Sequence, residues 1–238
     1  MKTHIKTIQG LIITLVIMIS SPVVTSAQDY GFGIKTGFMA VTQTGNFIYS
    51  DGDISVDLSS GYMAGYTLGL FTRLTLDNNF RLLTELNYSR YGATYDGSFS
   101  FQNQQIFTKS ETGIRYLQVP VMVEWHTNPP DLGPYRYQRP YWSWILKGGL
   151  YGGYRFDAIF SGTNTARILG VDFESDFRND VTESYKAFDA GLTIGGGIEY
   201  GLSRKYGFET RIVMGILNVG KEMNTRNMGL VFAFYMVI

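Results

Sequence analysis

Three sets of residues in this 238-residue chain have the types needed for chemistry, and each lacks part of what that chemistry requires. His4 lies in an apolar leader and cysteine is absent, so His126 is the one histidine left for acid–base work. A relay to a nucleophile needs a histidine beside serine or aspartate. His126 ends a strand-like stretch on the side away from the long links, and it reads as an interfacial structural side chain. Two acidic groups could attract cations: Asp51, Asp53 and Asp57, and Asp172, Glu174, Asp176 and Asp180. Neither has the glycine and terminal glutamate of a calcium loop at the required spacing, so both read as solvated loop charges. Gly148-Gly149 and Gly195-Gly196-Gly197 invite comparison with phosphate-cradling loops, but no helix follows to supply an N-terminal dipole. A steric role suits them better. The chain is therefore expected to have no catalytic residue, no cofactor and no metal, and to be no enzyme.

A fourth set is different, because its members alternate with apolar neighbours. It comprises Lys35, Arg73, Arg81, Glu85, Glu124, Lys147, Asp189, Glu199, Glu209 and Arg211. Between Ala187 and Tyr200, for example, Phe188, Ala190, Leu192, Ile194, Ile198 and Tyr200 share one face, while Asp189, Thr193 and Glu199 share the other. A period of two means strand, with a different solvent on each face. Eight such stretches follow: Gly31 to Val41, Tyr62 to Leu76, Phe80 to Tyr91, Gly113 to Trp125, Tyr141 to Phe156, Ala187 to Tyr200, Lys205 to Leu217 and Arg226 to Ile238. Even-numbered residues form the apolar face, except on the fourth stretch, where Leu117, Val119, Val121, Val123 and Trp125 reverse the parity.

The pattern predicts an all-β fold, an eight-stranded antiparallel up-and-down transmembrane β-barrel. A charge facing lipid near mid-bilayer costs a few kcal/mol, so the ten charges should face the lumen. In so narrow a bore side chains fill the interior, which favours a plug of salt bridges over an ion pathway. Tyr88, Tyr91, Tyr116 and Tyr154 near one end, and Trp125, Tyr141, Trp142 and Tyr200 near the other, suit the two membrane interfaces. A soluble sandwich would instead need polar outer faces. Pro120 removes a ladder donor inside the fourth strand, which predicts a local bulge.

Short and long links alternate. Asp77-Asn78-Asn79 and Gly201 to Arg204 are tight turns, whereas Asn46 to Ser60, Ala93 to Thr112 and Asp157 to Lys186 are long and are expected outside the cell. Within the second of these, FSFQNQQIF from Phe99 to Phe107 alternates and could extend the strands and offer an edge for pairing. On the other side, Pro129 to Pro140 combines four prolines with Tyr135, Arg136, Tyr137 and Arg139. It reads as an interfacial turn, or as a semi-rigid contact segment for a protein partner.

Residues 1–27 carry Lys2 and Lys6, an apolar run from Leu11 to Ile19 and the exit Thr25-Ser26-Ala27. That is the pattern of a Sec signal peptide cut after Ala27, leaving residues 28–238 as the barrel domain. The run is short for a membrane anchor. Removing two of the 20 basic residues and none of the 20 acidic ones leaves 18 against 20, or −2. No basic surplus points to nucleic acid.

Four segments in order, GIKTG from Gly33, YLQVPV from Tyr116, KGGLYGGYRF from Lys147 and AGLTIGGGIEYGL from Ala190, resemble the PorT-like outer-membrane β-barrel proteins of Gram-negative bacteria. The likeness extends over essentially the whole chain after the leader. It implies a cell outer-membrane location and contact with outer-membrane lipid; the named PorT proteins are components of a protein secretion system, and the family offers no established catalytic residues. One departure is the end, Phe234-Tyr235-Met236-Val237-Ile238, which does not close on an aromatic residue. The expected function is that of a non-enzymatic barrel with a plugged lumen, whose outer loops or 129–140 turn bind a partner. A small-solute pore and a subunit of an envelope or secretion machine are the alternatives.

Overall fold

The computed structural model describes residues 30–45, 47–51, 54–101, 104–127, 140–168, 171–202, 204–221 and 224–238. The leader and the segment from Pro129 to Arg139 lie outside the described residues. Among the described residues eleven strands form: β1 (Tyr30–Thr44), β2 (Phe47–Asp51), β3 (Ile54–Gly61), β4 (Met63–Thr75), β5 (Phe80–Phe101), β6 (Gln104–His126), β7 (Tyr141–Ile168), β8 (Val171–Asp180), β9 (Phe188–Gly201), β10 (Lys205–Gly215) and β11 (Arg226–Val237). Eight of them pair antiparallel in a closed ring, β1-β4-β5-β6-β7-β9-β10-β11 and back to β1. Closure removes every unpaired edge from the wall.

The alternation is what turns the sheet inside out relative to a soluble protein. Phe38, Tyr62 and Trp144 are 78%, 75% and 67% exposed, while Glu124 and Glu199 are 0% and 1% exposed. Even-numbered residues look outward on seven of the barrel strands and odd-numbered ones, Val121, Val123 and Trp125, on β6. Rings interlock at both rims of the outer wall. Tyr66, Tyr88, Phe156, Tyr154 and Phe188 follow one another with centroids 5.4–6.2 Å apart at the long-link end, and Trp142 meets Tyr200 at 4.7 Å at the short-turn end. Gly201, at φ 148°, starts the tight turn into β10, a conformation other residues rarely adopt.

Two expectations are corrected. Pro120 makes no bulge: Thr84↔Val121 and Asn87↔Gln118 keep one register across it, and only the pairs between are missing from the ladder. The wall absorbs the lost donor because the neighbouring turns of ladder hold the strands in place. The register shift lies instead between Arg115 and Tyr116, which face Asp157 and Arg155, so Phe156 is the extra residue. Past it β7 changes parity: Ala158 is buried opposite Ile114, and Asp157 faces out opposite Arg115.

The second correction concerns the long links, which are largely sheet, as the alternation of FSFQNQQIF suggests for one of the three. β5 and β6 run on to Phe101 and Gln104 as a paired hairpin, β7 runs on to Ile168, and β8 pairs back along it. With β3 joined to β5 at Ser59–Gly61, one side of the barrel continues as a wall well beyond the aromatic rim.

Candidate functional site

The lumen has two storeys. In the one nearer the short turns, Glu124 of β6 stands directly between Arg81 of β5 and Lys147 of β7 in the ladder. It meets Arg81 at 3.3 Å, Lys147 at 3.1 Å and Arg73 at 3.5 Å. Glu209 meets Lys147 at 2.6 Å, Arg211 at 2.8 Å and Lys35 at 3.5 Å. Glu85 pairs with Lys35 and, at 3.1 Å, with Arg211; Glu199 pairs with Arg73, with Arg81 at 3.5 Å and with Lys205 at 3.3 Å. These pairs join into one network, buried within the wall. Tyr235 completes it, donating to Glu199 at 3.2 Å beneath the Arg73 guanidinium, 5.0 Å from its ring.

Long charged side chains need room, and glycine supplies it. A Cβ on Gly195 would stand 2.4 Å from Arg211 Cγ, and one on Gly207 would stand 2.0 Å from the Tyr235 ring. Within the two glycine runs Gly195 thus leaves room for Arg211, whereas a Cβ on Gly149 or Gly197 would stand 2.1 Å from the carbonyl oxygen of Val121 or Phe208 on the neighbouring strand.

Nine of the ten charges expected in the lumen meet in this network. Asp189 does not. It lies in the second storey, where it accepts from Tyr151 Oη at 3.2 Å and Asn227 Nδ2 at 2.9 Å and has no cation in the described contacts. From Asn227 the bonds pass to Tyr116 at 3.1 Å and, through Oδ1, to Gln43 at 3.2 Å. Gln43 Oε1 in turn accepts from Tyr95 at 2.7 Å and Tyr185 at 3.3 Å. Tyr185 and Val219 belong to two links that cross the mouth, tied by Lys186 N to Val219 O at 2.7 Å and Lys221 N to Ser184 O at 3.0 Å. Both side chains are buried, in one cluster with Tyr91, Tyr116 and Tyr151. Between the storeys lies a cavity of about 20 Å³, room for one water molecule.

The sequence reading missed Lys205 and Tyr235, although both are odd-numbered like their lumen-facing neighbours Glu209 and Arg211. It also put Tyr91 and Tyr116 at the membrane interface; they are 1% and 0% exposed and face the lumen. Tyr88 and Tyr154 do form the outer rim. His126 is buried, with Nδ1 3.2 Å from the Thr127 carbonyl. Among the described residues no group of His, Cys, Asp and Glu is placed to hold a metal. Asp176 accepts from Thr163 at 2.7 Å and Asp180 from the Thr182 amide at 2.9 Å. The Thr182 hydroxyl and then that amide hold the Asp180 carboxyl below the usual aspartate range. The side chains of Asp51, Asp53, Asp57 and Asp172 lie outside the described residues.

A closed ring of strands with an apolar outside is a membrane barrel, and the sequence comparison returns a barrel as well. The model of the outer membrane protein beta-barrel domain matches residues 26–220. The chain belongs to this family. As an outer membrane β-barrel protein it resides in the bacterial outer membrane, with its apolar outer wall against lipid. Solved structures similar to it include outer membrane protein OprG from Pseudomonas aeruginosa, at 12% identity and TM-score 0.47, covering 88% of this chain and 96% of that one. Ail, the attachment invasion locus protein of Yersinia pestis, in complex with the heparin analogue sucrose octasulfate, matches at 12% identity and TM-score 0.38, over 87% and 99%. Neisserial surface protein A matches at 12% and 0.37, over 88% and 98%. No curated protein matches the sequence.

Proposed function

We propose that this outer membrane β-barrel protein is a non-enzymatic scaffold with a sealed lumen, which presents its long-link end to the outside and acts through that surface. The observation that carries this reading is the double filling of the bore, an ion-paired storey below and a tyrosine storey under crossing links above. Side chains of an eight-stranded barrel pack its interior, so little space remains for solutes. Alternating short and long links support the orientation, with the long ones outside. The leader supports Sec export after cleavage at Ala27 in a Gram-negative cell, and the ordered motifs from GIKTG to AGLTIGGGIEYGL support a place among PorT-like members. No residue in those motifs explains a part in secretion, so the role in an envelope machine stays the second reading, resting on the 129–140 segment. Planar-bilayer recording tests the first: the pure protein should show no large, steady conductance. Finding one would make it a solute pore.

A further inference from the structure

Above the aromatic rim, the outward face of the raised wall carries an ordered polar surface. Two rungs run straight across four strands: Thr94, Glu111, Ser161 and Arg178, then Asp96, Lys109, Thr163 and Asp176. All eight line a shallow, open groove of about 670 Å³. Under them the rung opens with two glycines, Gly92 and Gly113. Without a side chain at Gly113 the Arg90 guanidinium can lie across the backbone; a Cβ there would stand 2.9 Å from two of its nitrogens. One rung lower Arg90 and Arg115 face each other directly, an arrangement that costs stability unless anions relieve it. Glu111 reaches Arg90 at 2.9 Å, and Asp157 pairs with Arg115. The two arginine side chains are still 31% and 39% exposed, with donors left over.

The face that holds this groove is continuous with the one that meets lipid. Leu86, Tyr88, Arg90, Gly92, Thr94 and Asp96 are successive outward positions of one strand, β5. The groove therefore opens sideways over the membrane, toward whatever stands up from the bilayer. Height selects among such molecules. Thr94 and Asp96 lie six and eight residues past Tyr88, or about 20 and 26 Å along a strand, which at a tilt of about 45° is about 14 and 19 Å above the aromatic rim. A phospholipid headgroup layer extends only about 5–8 Å beyond the hydrocarbon.

We infer that this wall binds the headgroup of an outer-leaflet phosphorylated glycolipid, with phosphate at Arg90 and Arg115 and sugars along the two polar rungs. The fork of arginine suits phosphate, and alternating carboxylates, amines and hydroxyls supply donors and acceptors for sugar hydroxyls. The inference rests on the outward orientation of the long-link end but not on the sealed lumen.

The test uses the full-length mature protein in nanodiscs made with lipopolysaccharide bearing core sugars, with the same lipid stripped to its acylated disaccharide, or with phosphatidylglycerol alone. Lipid retained through purification is counted by native mass spectrometry, and amide exchange is followed on β5 to β8. Core-bearing lipid should be retained about tenfold over phosphatidylglycerol and should slow exchange at residues 94–96, 109–111 and 161–163. The stripped lipid should be retained without that protection. Arg90→Gln with Arg115→Gln should abolish the preference for the glycolipids over phosphatidylglycerol, and Ser161→Trp should remove the protection alone. Folding of each variant is checked by heat-modifiable gel mobility. Equal retention of all three lipids, or protection by none, overturns the inference. A conductance found in the same nanodisc protein would overturn the sealed lumen and leave this result standing.

Discussion

The two storeys of the lumen solve one packing problem by opposite means. Below, four glutamates are shared among six cations, and each carboxylate is held by two or three partners; above, a single acid, Asp189, is held by neutral phenols and amides. Charge buried in excess of its partners is costly, and removing one member of a buried network leaves the others unpaired. The lower storey should therefore be brittle to single changes. In the upper storey Asp189 has no ion pair in the described contacts, so its removal strands no cation and should be tolerated.

Making the same acid-to-amide change in both storeys is the strongest way to break this comparison. Glu209→Gln removes charge facing Lys35, Lys147 and Arg211, and it should cost about 3–5 kcal/mol in reversible urea unfolding from detergent micelles. A loss under about 1 kcal/mol would show that the network is cosmetic. Adding Lys147→Met to it should cost less than the two changes summed, because the pair is coupled. Next in size is Gly207→Ala, which drives a methyl into Tyr235 and should destabilise by about 1–3 kcal/mol through overpacking. Tyr235→Leu in the same chain should recover part of that loss if the clash is the cause. Asp189→Asn keeps the shape and an acceptor for Tyr151 and Asn227, so stability should move by less than about 1 kcal/mol. A loss as large as that of Glu209→Gln would mean that the upper storey holds a cation partner after all.

The smallest effect belongs outside the membrane. Asp180 has its carboxyl held below the usual range by Thr182, so the support it lends is present above the unfolded aspartate pKa and is lost as pH falls through the folded one. Amide exchange at Ser184 and Tyr185, corrected for the intrinsic rate, should quicken as pH drops below about 4, and in Asp180→Ala it should be fast at every pH. No pH dependence in the parent chain would separate the 182–184 turn from Asp180.

The strands and the solvent on each face were legible in the sequence because alternation records both, including the reversed parity of β6. The lower storey was legible for the same reason, since charges on an otherwise apolar strand have one place to go. Tyr91 and Tyr116 were misplaced by residue type, as tyrosine suits an interface as well as a polar core; parity alone had them inward, with 91 odd on β5 and 116 even on β6. The crossing links with Tyr185 and Val219 left no mark in the pattern, because their burial depends on a bridge between Tyr185 and Gly220, 35 residues apart. Pro120 misled in the other direction: a missing donor signals a weak point in a ladder, but whether the ladder bends there depends on the strands beside it.

The extra residue at Phe156 acts as a phase shift in β7. Below it an even number means lipid, and above it an even number means the barrel axis, so one strand carries two codes joined at a single residue. Deleting Phe156 would let Asp157 follow Arg155 directly, still opposite Arg115, so Ala158 would stay inward and Ser161 and Thr163 outward. The inserted residue thus resets the count along the strand without changing the solvent that any side chain meets. The raised wall should therefore survive its removal, losing only the local kink and added twist of a bulge.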